Sequence, residues 1–289
     1  MTRVPVDHLS PSHLWLSRTC LRACEYIYVK KRPRLGSAKM AAGTATHASV
    51  EEDYRSQMLR KSLLPDEQIA AVAADAWERE AFVLDWTREE EPKGAWKDKV
   101  VRMAQHHHKV VAPNVKPVAV ELDMECPFDG DLKLTGRADV VSESQAEIVV
   151  HKPGEEPRAV NKAGRHLRDV KTKGSAPHGV RDGVIEHGVH ELCQQATYRI
   201  IQAANKTPAV QSFIDYLWIT KKEGAKAFAA PMNLTKRDVE LALDDYHALI
   251  EMYGKGLFPR TGRGTWFCTE GNCPGYAECI LGRAAVLDR

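Results

Sequence analysis

Asp169 and Lys171 are two residues apart in the segment HLRDVKTK (166–173). We predict a strand here, and side chains two residues apart project from the same face of a strand. The carboxylate could bind a divalent cation, and the ammonium beside it could stabilise developing negative charge or orient a water molecule. An Asp-x-Lys triplet is common on strand edges and turns, so its chemical meaning depends on the residues that accompany it.

A second aspartate, Asp139, lies in the segment LTGRADVV (134–141), upstream of Asp169. We predict that the two aspartates lie on neighbouring strands, close enough for their carboxylates to share one cation. Carboxylate oxygens select hard cations such as Mg²⁺ or Mn²⁺. Lys171 would then lie beside the metal, where it could stabilise a phosphorane-like transition state. These residues indicate metal-dependent phosphate chemistry.

Two predicted helices carry further polar residues at a spacing of four, which places each pair on one helix face. His47 and Glu51 form the first pair, and the imidazole is a candidate third ligand that favours Mn²⁺. We interpret Glu51 as a structural residue. Gln194 and Tyr198 form the second pair and could hold a water molecule, the lysine or a phosphate. As alternatives, His47 could be a helix histidine satisfied by a neighbour, and Tyr198 could be a core residue.

The four patterns together resemble the RecB-type branch of the PD-(D/E)XK nuclease superfamily. That branch has a G-x-x-x-H helix, a G-x-x-D strand, a D-x-K-T strand and a Q-x-x-x-Y helix, in this order. Each motif alone is weak, whereas all four in order are specific, and the resemblance runs from about residue 10 to residue 280. The motifs of this chain are Gly43 to His47, GRAD ending at Asp139, DVKT from Asp169, and Gln194 to Tyr198.

The resemblance implies a restriction-endonuclease-like α/β fold, in which helices flank a mixed central sheet. It assigns Mg²⁺ or Mn²⁺ to His47, Asp139 and Asp169, assisted by the backbone carbonyl of Val170. The residues that it implies for positioning the attacking water and supporting the site are Lys171, Gln194 and Tyr198. The polar segment 152–165 departs from the pattern and is predicted to be an inserted loop or hairpin tip.

The chain has seven cysteines, and an odd number argues against a disulfide framework. Three of them, Cys268, Cys273 and Cys279, lie in one short loop near the end of the chain. Their thiolates could converge on one metal centre, with a fourth ligand from Cys20 or Cys24 in the first predicted helix. Thiolate sites suit Zn²⁺ or an iron–sulfur cluster. The two remaining thiols are predicted to be small buried residues, Cys126 and Cys193.

The RecB-type branch includes members in which one early and three late cysteines hold a [4Fe–4S] cluster. The CRISPR-associated iron–sulfur exonucleases and the AddB nuclease domain share this layout, which joins the C-terminal tail to the N-terminal helix. The resemblance therefore favours the cluster over Zn²⁺, although the C-x4-C spacing here replaces the usual C-x2-C. The distance from LSPS favours Cys20 as the early ligand, whereas the aromatic residues of CEYIY favour Cys24. Both stay open.

Hydrophobic periodicity and turn signals predict helices, then a sheet, then a helix and an irregular tail. We expect one nuclease domain over residues 1–289, with a helical part (1–112), a core of sheet and helix (113–234), and a C-terminal part (235–289). The predicted helices cover 9–32, 37–59, 65–90, 94–111, 183–205 and 235–256. The predicted strands cover 115–128, 129–144, 146–153, 166–173, 210–222 and 226–234.

The net charge is only +2, so basic residues occur as local clusters and not as a global field. These clusters lie at 29–34, 161–173 and 219–227. The HHH run at 106–108 is predicted to be a solvated helix face. No apolar run reaches the roughly 18 residues of a membrane helix, and the first residues do not resemble a signal peptide. We therefore expect a cytoplasmic protein without a membrane partner.

The expected function is that of a metal-dependent DNA exonuclease in end-processing, recombination or repair. The substrate would be DNA, as single strands or duplex ends, bound through its backbone by the basic clusters. Strand separation would come from a helicase or recombination partner. The alternatives are a non-catalytic DNA-end-binding module and a structure-specific endonuclease of the same fold.

Overall fold

The computed structural model of the chain contains a mixed sheet flanked by helices. The strands are β1 (His8–Leu9), β2 (Pro117–Asp129), β3 (Leu132–Ser144), β4 (Ile148–Val150), β5 (Arg158–Asn161), β6 (Gly164–Lys173), β7 (Gln211–Thr220) and β8 (Gly224–Met232). The residues that the structure describes are 4–34, 36–144, 148–150, 158–161, 163–177, 185–220, 224–260 and 267–279.

Helices precede, cross and follow this sheet. They are α1 (Pro11–Thr19), α2 (Leu21–Cys24), α3 (Ala38–Arg60), α4 (Asp66–Ala81), α5 (Lys93–Val110), α6 (Val189–Ala204) and α7 (Lys236–Gly254). A π-helical turn, Glu25–Val29, continues α2. None of the described helices is long and apolar enough to cross a membrane.

The main sheet has the strand order β1-β3-β6-β7-β8, and β2 pairs with β3. The β3–β6 and β7–β8 pairs are antiparallel, whereas β6 and β7 are parallel. Parallel neighbours need a crossover connection, which α6 supplies between β6 and β7. Because α6 leaves the C-terminal end of the Asp-x-Lys strand and packs back onto the sheet, Gln194 and Tyr198 return to Asp169.

Two helical layers cover the sheet. On one side α3 and α5 pack on Val140, Val170 and Leu217, and α3, α4 and α5 share a second apolar cluster around Trp77. On the other side α1, α6 and α7 form a cluster with the start of β3, at Leu134. The strands β3 and β6 are thus held between two apolar clusters, which fix their position.

Most predicted elements are present, with boundaries set by local chemistry. Ser37 caps α3 by accepting a hydrogen bond from the Met40 N–H, and Thr235 begins α7 with a capping box that includes Asp238. The single helix expected over 9–32 is wrong, because Cys20 is extended (φ −165°, ψ 110°) and separates α1 from α2. The helix expected over 65–90 ends earlier, with α4 at Ala81.

The region of the expected loop at 152–165 contains β5, which pairs antiparallel with β4, and the start of β6. Residues 151–157 and 162 lie outside the described residues, so the prediction of a loop there is not tested. The described helix α6 begins at Val189, later than the predicted start at 183.

The HHH run at 106–108 is not a solvated face, because His107 and His108 are buried. The His108 ring lies between two carboxylates, with Nδ1 2.9 Å from Asp53 Oδ2 and Nε2 3.1 Å from Asp66 Oδ1. The His107 ring packs edge-on against Tyr54 below the sheet. The apolar side of α5 faces the core, and these two imidazoles belong to that side.

Candidate active site

The antiparallel register of β3 and β6 brings Asp139 and Asp169 together. Val140 pairs with Arg168 in this antiparallel ladder. Asp139, one residue before Val140, therefore lies opposite Asp169, one residue after Arg168. The backbone N–H of Val170 donates a hydrogen bond to Asp139 Oδ2 over 2.7 Å. The middle residue of the Asp-x-Lys triplet therefore fixes the carboxylate of the neighbouring strand.

Asp169 is fully buried and is held by one residue on each side. Gln194 Nε2 donates to Asp169 Oδ1 over 2.6 Å, and the ammonium of Lys171 forms an ion pair with Oδ2. The same Gln194 nitrogen lies 2.7 Å from the Tyr198 hydroxyl, which donates to the carbonyl of Arg137 on β3. The Q-x-x-x-Y pair thus ties α6 to both acid strands.

His47 approaches the acids from α3. Its Nδ1 lies 3.1 Å from Asp139 Oδ2, and the side chain stays 29% exposed. One turn earlier on the helix, a Cβ added at Gly43 would lie 3.3 Å from Thr172 Oγ1, directly after Lys171 on β6. The glycine of G-x-x-x-H therefore lets α3 lie close to the end of the Asp-x-Lys strand, which brings His47 to the aspartates.

The glycine of G-x-x-D has a comparable steric role. A Cβ added at Gly136 would lie 2.7 Å from Tyr198 Cε1, a distance that real contacts do not show. The absence of a side chain at this position of β3 makes room for the Tyr198 ring. Two of the sequence motifs are thus joined by one packing contact.

The two acids differ in their affinity for a proton. Burial and the negative charge of Asp139 raise the pKa of Asp169 to about 7. Burial also acts to raise the pKa of Asp139, but His47, Lys171 and the Val170 N–H outweigh it, so this pKa is lowered. The pair therefore carries less than two full negative charges near neutral pH.

The same carboxylates shift the pKa values of the neighbouring bases. Burial alone would lower the pKa of Lys171 and of His47, but the carboxylates raise both. For Lys171 the main partner is Asp169, and for His47 it is Asp139. Lys171 is thus kept as an ammonium ion beside the acids.

The donor set suits a hard divalent cation. Two carboxylates, one imidazole and a backbone carbonyl are ligands that Mg²⁺ and Mn²⁺ accept. Asp169 Oδ2 is buried, and its partner is the Lys171 ammonium. Within the described ranges, no three His, Cys, Asp or Glu side chains are arranged to hold a metal ion. The side chains of the site pair with one another instead.

Glu121 is a neighbour of the site that the sequence patterns do not reveal. It has a positive φ of 50° on β2, at the point where the register passes from Val120↔Val140 to Leu122↔Ala138, opposite Asp139. Burial, Asp139 and Glu51 raise the pKa of Glu121. Glu51 itself pairs with Arg55. The only sequence signal for Glu121 is an acid within the β-branched segment before the G-x-x-D motif.

Three basic residues of the cluster at 161–173 are paired with acids, although Arg165 is exposed and residue 162 lies outside the described residues. Arg168 is buried and makes a bidentate ion pair with Asp215 on β7, with Nη2 2.6 Å from Oδ1 and Nε 3.0 Å from Oδ2. Lys171 pairs with Asp169, and Lys173 pairs with Glu191. Part of the cluster at 219–227, residues 221–223, lies outside the described residues.

Four cysteines line one pocket between the N-terminal helices and the tail. They are Cys20, Cys268, Cys273 and Cys279. The extended backbone of Cys20 interrupts the helix and directs this residue to the pocket. Cys24 lies elsewhere, fully buried in the core with Sγ facing the carbonyl of His13, and burial raises its pKa to about 12. Cys126 and Cys193 are buried, as predicted.

The tail is docked on the N-terminal region by several contacts. Arg32 pairs with Glu278, and the Arg22 N–H donates to the carbonyl of Pro259. Phe267 is buried in the cluster of α1, α6 and α7. The segment 267–279 therefore meets the N-terminal helices at the cysteine pocket.

Comparison with known proteins defines the class. The profile of the PD-(D/E)XK nuclease superfamily matches residues 8–279. The chain belongs to this superfamily, and the nuclease resemblance of its motifs is confirmed at that level. Members of the superfamily are nucleases that act on DNA and generally use divalent metals such as Mg²⁺.

Among solved structures, the chain is similar to a crystal structure of a "Putative exonuclease" from Eubacterium rectale. The identity is 13%, the TM-score is 0.51, and the match covers 96% of this chain and 88% of that one. At this identity the likeness concerns the fold, and it agrees with a restriction-endonuclease-like core. A comparison with curated proteins gives no match.

Proposed function

We propose that the chain is a metal-dependent DNA exonuclease of the RecB-type, iron–sulfur branch, acting in DNA end-processing, recombination or repair. The observation that carries the proposal is the joint placement of Asp139, Asp169 and Lys171 on β3 and β6. In many proteins an Asp-x-Lys triplet on a strand occurs by chance and has no catalytic role. Here its carboxylate is buried, held by Gln194, and set against a second aspartate and a histidine.

In this proposal His47, Asp139, Asp169 and the Val170 carbonyl hold Mg²⁺ or Mn²⁺. The cation would act as a Lewis acid on the phosphate and lower the pKa of the attacking water. Lys171 orients that water, because its ammonium is fixed beside Asp169 and is the only lysine within this group of residues. Gln194 keeps the Asp169 carboxylate in one orientation, and Tyr198 keeps Gln194 in place.

We further propose that Cys20, Cys268, Cys273 and Cys279 hold a [4Fe–4S] cluster, with Zn²⁺ as the alternative. Their common pocket supports this set, and the burial of Cys24 among core residues argues against Cys24 as the early ligand. Thiolate ligands suit either metal centre. With the tail docked in this way, residues 1–289 would act as one nuclease domain.

Two other functions would use the same fold. A non-catalytic DNA-end-binding module would not need the acids and Lys171 together, which is why we favour an enzyme. A structure-specific endonuclease would cut internally. For an exonuclease acting on duplex ends, strand separation by a helicase or recombination partner stays a prediction.

Degradation of linear DNA strands labelled at the 5′ or the 3′ end tests the proposal. An exonuclease releases mononucleotides or short products from one label in Mn²⁺ and none in EDTA, and it leaves a circular single strand intact. Cutting of the circle would favour the endonuclease, and binding without any cleavage would favour the end-binding module. Asp169→Asn should be inactive, whereas the exposed Asp123→Asn on β2 should retain activity.

A further inference from the structure

A cavity of about 330 Å³ lies beside the start of α1. This volume is at the lower end of the range of about 300–1,000 Å³ for ligand pockets. Lys31 and Arg34 border it, together with Ser10, Ser12 and Tyr28. The cavity belongs to neither the acid site nor the cysteine pocket.

The basic residues of 29–34 divide into two pairs by their partners. Lys30 pairs with Glu25, and Arg32 pairs with Glu278. Within the described part of the chain, Lys31 and Arg34 have no ion pair, and these are the two that border the cavity. The one carboxylate in the wall, Asp7, is exposed; it lies 2.7 Å from His8 Nδ1 and is also attracted by Lys31, so it offsets one of the two cations. The wall therefore has an excess of positive charge.

Arg34 is held in position by a stack of rings. One guanidinium nitrogen, Nη2, donates to the Tyr28 hydroxyl over 2.9 Å. The Tyr28 ring stacks on the buried His13 ring with centroids 3.5 Å apart. His13 in turn lies 2.9 Å from Ser10 Oγ through its Nδ1. A cation fixed in this way, beside an open cavity, is suited to bind an anion.

The backbone adds neutral donors to the same wall. The first N–H groups of a helix have no partner within the helix; since Pro11 has no N–H, in α1 these are the groups of Ser12 and His13. The Ser10 side chain does not cap α1, because its hydroxyl is engaged with His13. The partial positive charge at the start of a helix favours phosphate groups. Here it coincides with Lys31, Arg34 and the cavity.

The helix that begins at the cavity is in contact with α6. His190, in the first turn of α6, has its pKa lowered to about 4 by burial and by nearby cations that include Lys171 and Arg34. The Trp15 ring of α1 contacts the His190 ring edge-on, with centroids 5.2 Å apart. The helix that begins at the cavity thus reaches the helix that carries Gln194.

We propose that this cavity is a phosphate-binding subsite, in which Lys31, Arg34 and the start of α1 hold a phosphate of the DNA strand that is being cleaved. The inference rests on the proposed nuclease function and names residues that would position its substrate. The phosphate is either an internal phosphodiester or the monoester at a strand end, and both have anionic oxygens that the same donors can bind.

The test measures binding separately from cleavage. Anisotropy of a fluorescein-labelled single strand in EDTA gives the dissociation constant over a salt series for the wild type, Lys31→Gln, Arg34→Gln and the double variant. Each lost phosphate contact should lower the salt slope by about 0.7 and, at 0.1 M salt, weaken binding roughly fivefold. Arg34→Lys should retain part of the affinity. Lys236→Gln, at an exposed lysine of α7, is the matched control.

DNA strands with and without a terminal phosphate distinguish the two sources of the bound phosphate. If a 5′- or 3′-phosphate strengthens wild-type binding, and Arg34→Gln removes this advantage, the subsite holds a terminal monoester. If phosphorylated and unphosphorylated strands bind alike and the variants weaken both, it holds an internal phosphodiester. Either result supports the subsite, provided that thermal unfolding shows the variants to be folded.

The subsite is wrong if the double variant binds DNA with the wild-type affinity and salt slope, or if wild-type protein binds no DNA. Normal cleavage by that double variant, with unchanged KM, would leave the nuclease intact and remove only the subsite. If the protein binds DNA through Arg34 but never cleaves it, the subsite is supported and the nuclease activity is contradicted. The two proposals can therefore fail separately.

Discussion

The backbone N–H of Val170 donates to the carboxylate of Asp139 over 2.7 Å, and this bond links the two acid-bearing strands. Val170 lies between Asp169 and Lys171, so the bond sets the position of the second acid relative to both. A strand shift by one residue would send every side chain to the opposite face. The D-x-K spacing can form a site only because the register of β3 and β6 brings Asp139 to the side chains of Asp169 and Lys171.

Replacement of the reacting residues should abolish cleavage without unfolding the protein. Asp139→Ala, Asp169→Ala and Lys171→Ala remove two hard ligands and the ammonium that orients the water. A nuclease assay with Mn²⁺, and thermal unfolding as a check, measure the two effects separately. Residual activity above about a tenth of the wild type in a folded variant would contradict the assigned role. Asp123→Asn, on the exposed side of β2, should be fully active.

His47→Ala should have a milder effect, because it removes one ligand of several. We expect a lower rate at limiting Mn²⁺ and a partial recovery at high Mn²⁺. Rates measured over a metal titration give the apparent metal affinity of the variant and of the wild type. His106→Ala, on another helix, is the control. A rate that does not respond to added metal would mean that His47 is not a ligand.

Ionisation of Asp169 should lower the stability of the metal-free protein as pH rises from about 4 to about 7, whereas buried His13 and His190, with pKa values lowered to about 3 and about 4, act in the opposite direction. The native Asp169 carboxyl keeps its proton to about pH 7, whereas the unfolded one loses it near 3.8. At Asp169 the native state therefore binds more protons in this window, and ionisation of this carboxyl lowers the free energy of unfolding. His47 acts in the same direction only above 6.5, where its unfolded form loses its proton.

Thermal unfolding in chelator at several pH values measures this dependence. Relative to the wild type, Asp169→Asn should gain stability as pH rises from 4 to 6, because the amide side chain does not titrate whereas the Asp169 carboxyl loses its proton. Asp123→Asn should keep the wild-type dependence. If the midpoints of the Asp169→Asn variant and the wild type stay parallel over this pH range, Asp169 does not have a raised pKa.

From the sequence, the residues of this site were easier to predict than the residues that surround it. Capping residues and hydrophobic periodicity are local signals, so α3 and α7 could be found from Ser37 and Thr235. The order of the four motifs also anticipated that Asp139 and Asp169 meet. Glu121 could not be found, because its left-handed backbone and its position opposite Asp139 depend on the pairing of β2 with β3.

Charge in a sequence does not reveal where a side chain is buried. Arg168 and His108 lie in runs of polar residues and were expected at the surface, but each is buried with a carboxylate from a distant segment. Burial of such groups is stable only with partners. Asp215 and Asp53 supply them, and neither pairing has a signal in the local sequence.

Gly136→Ala should disturb the site through packing alone. The added Cβ would overlap the Tyr198 ring, so we expect a loss of about 1–3 kcal/mol in the free energy of unfolding, as in other overpacked cores, with reduced activity. Denaturant unfolding measures the first effect. Gly94→Ala is the control, since nothing lies within 4 Å of its added Cβ in α5.

A second substitution tests whether the Tyr198 contact is the cause. Tyr198→Leu provides space, so the double variant with Gly136→Ala should be less destabilised than the sum of the two single changes. Additive losses would mean that Gly136 matters for another reason.

We expect the cysteine pocket to determine the colour of the protein. Protein purified without oxygen should be brown and contain about four irons per chain, as a [4Fe–4S] centre requires. Cys20→Ala should remove the colour, whereas Cys24→Ala should keep it, because Cys24 faces the carbonyl of His13 in the core. Cys24→Ala also leaves a small cavity, so its melting temperature serves as the measure of packing.

Loss of the centre should release the tail from the N-terminal helices, since its ligands come from both ends of the chain. Cys273→Ala should therefore be cut by protease within 267–279 sooner than the wild type, and Cys126→Ala, at a buried thiol of β2, should not. A colourless wild type with one zinc per chain would replace the cluster by Zn²⁺ and leave the acid site untouched. A brown Cys20→Ala protein together with a colourless Cys24→Ala protein would reverse the assignment of the early ligand.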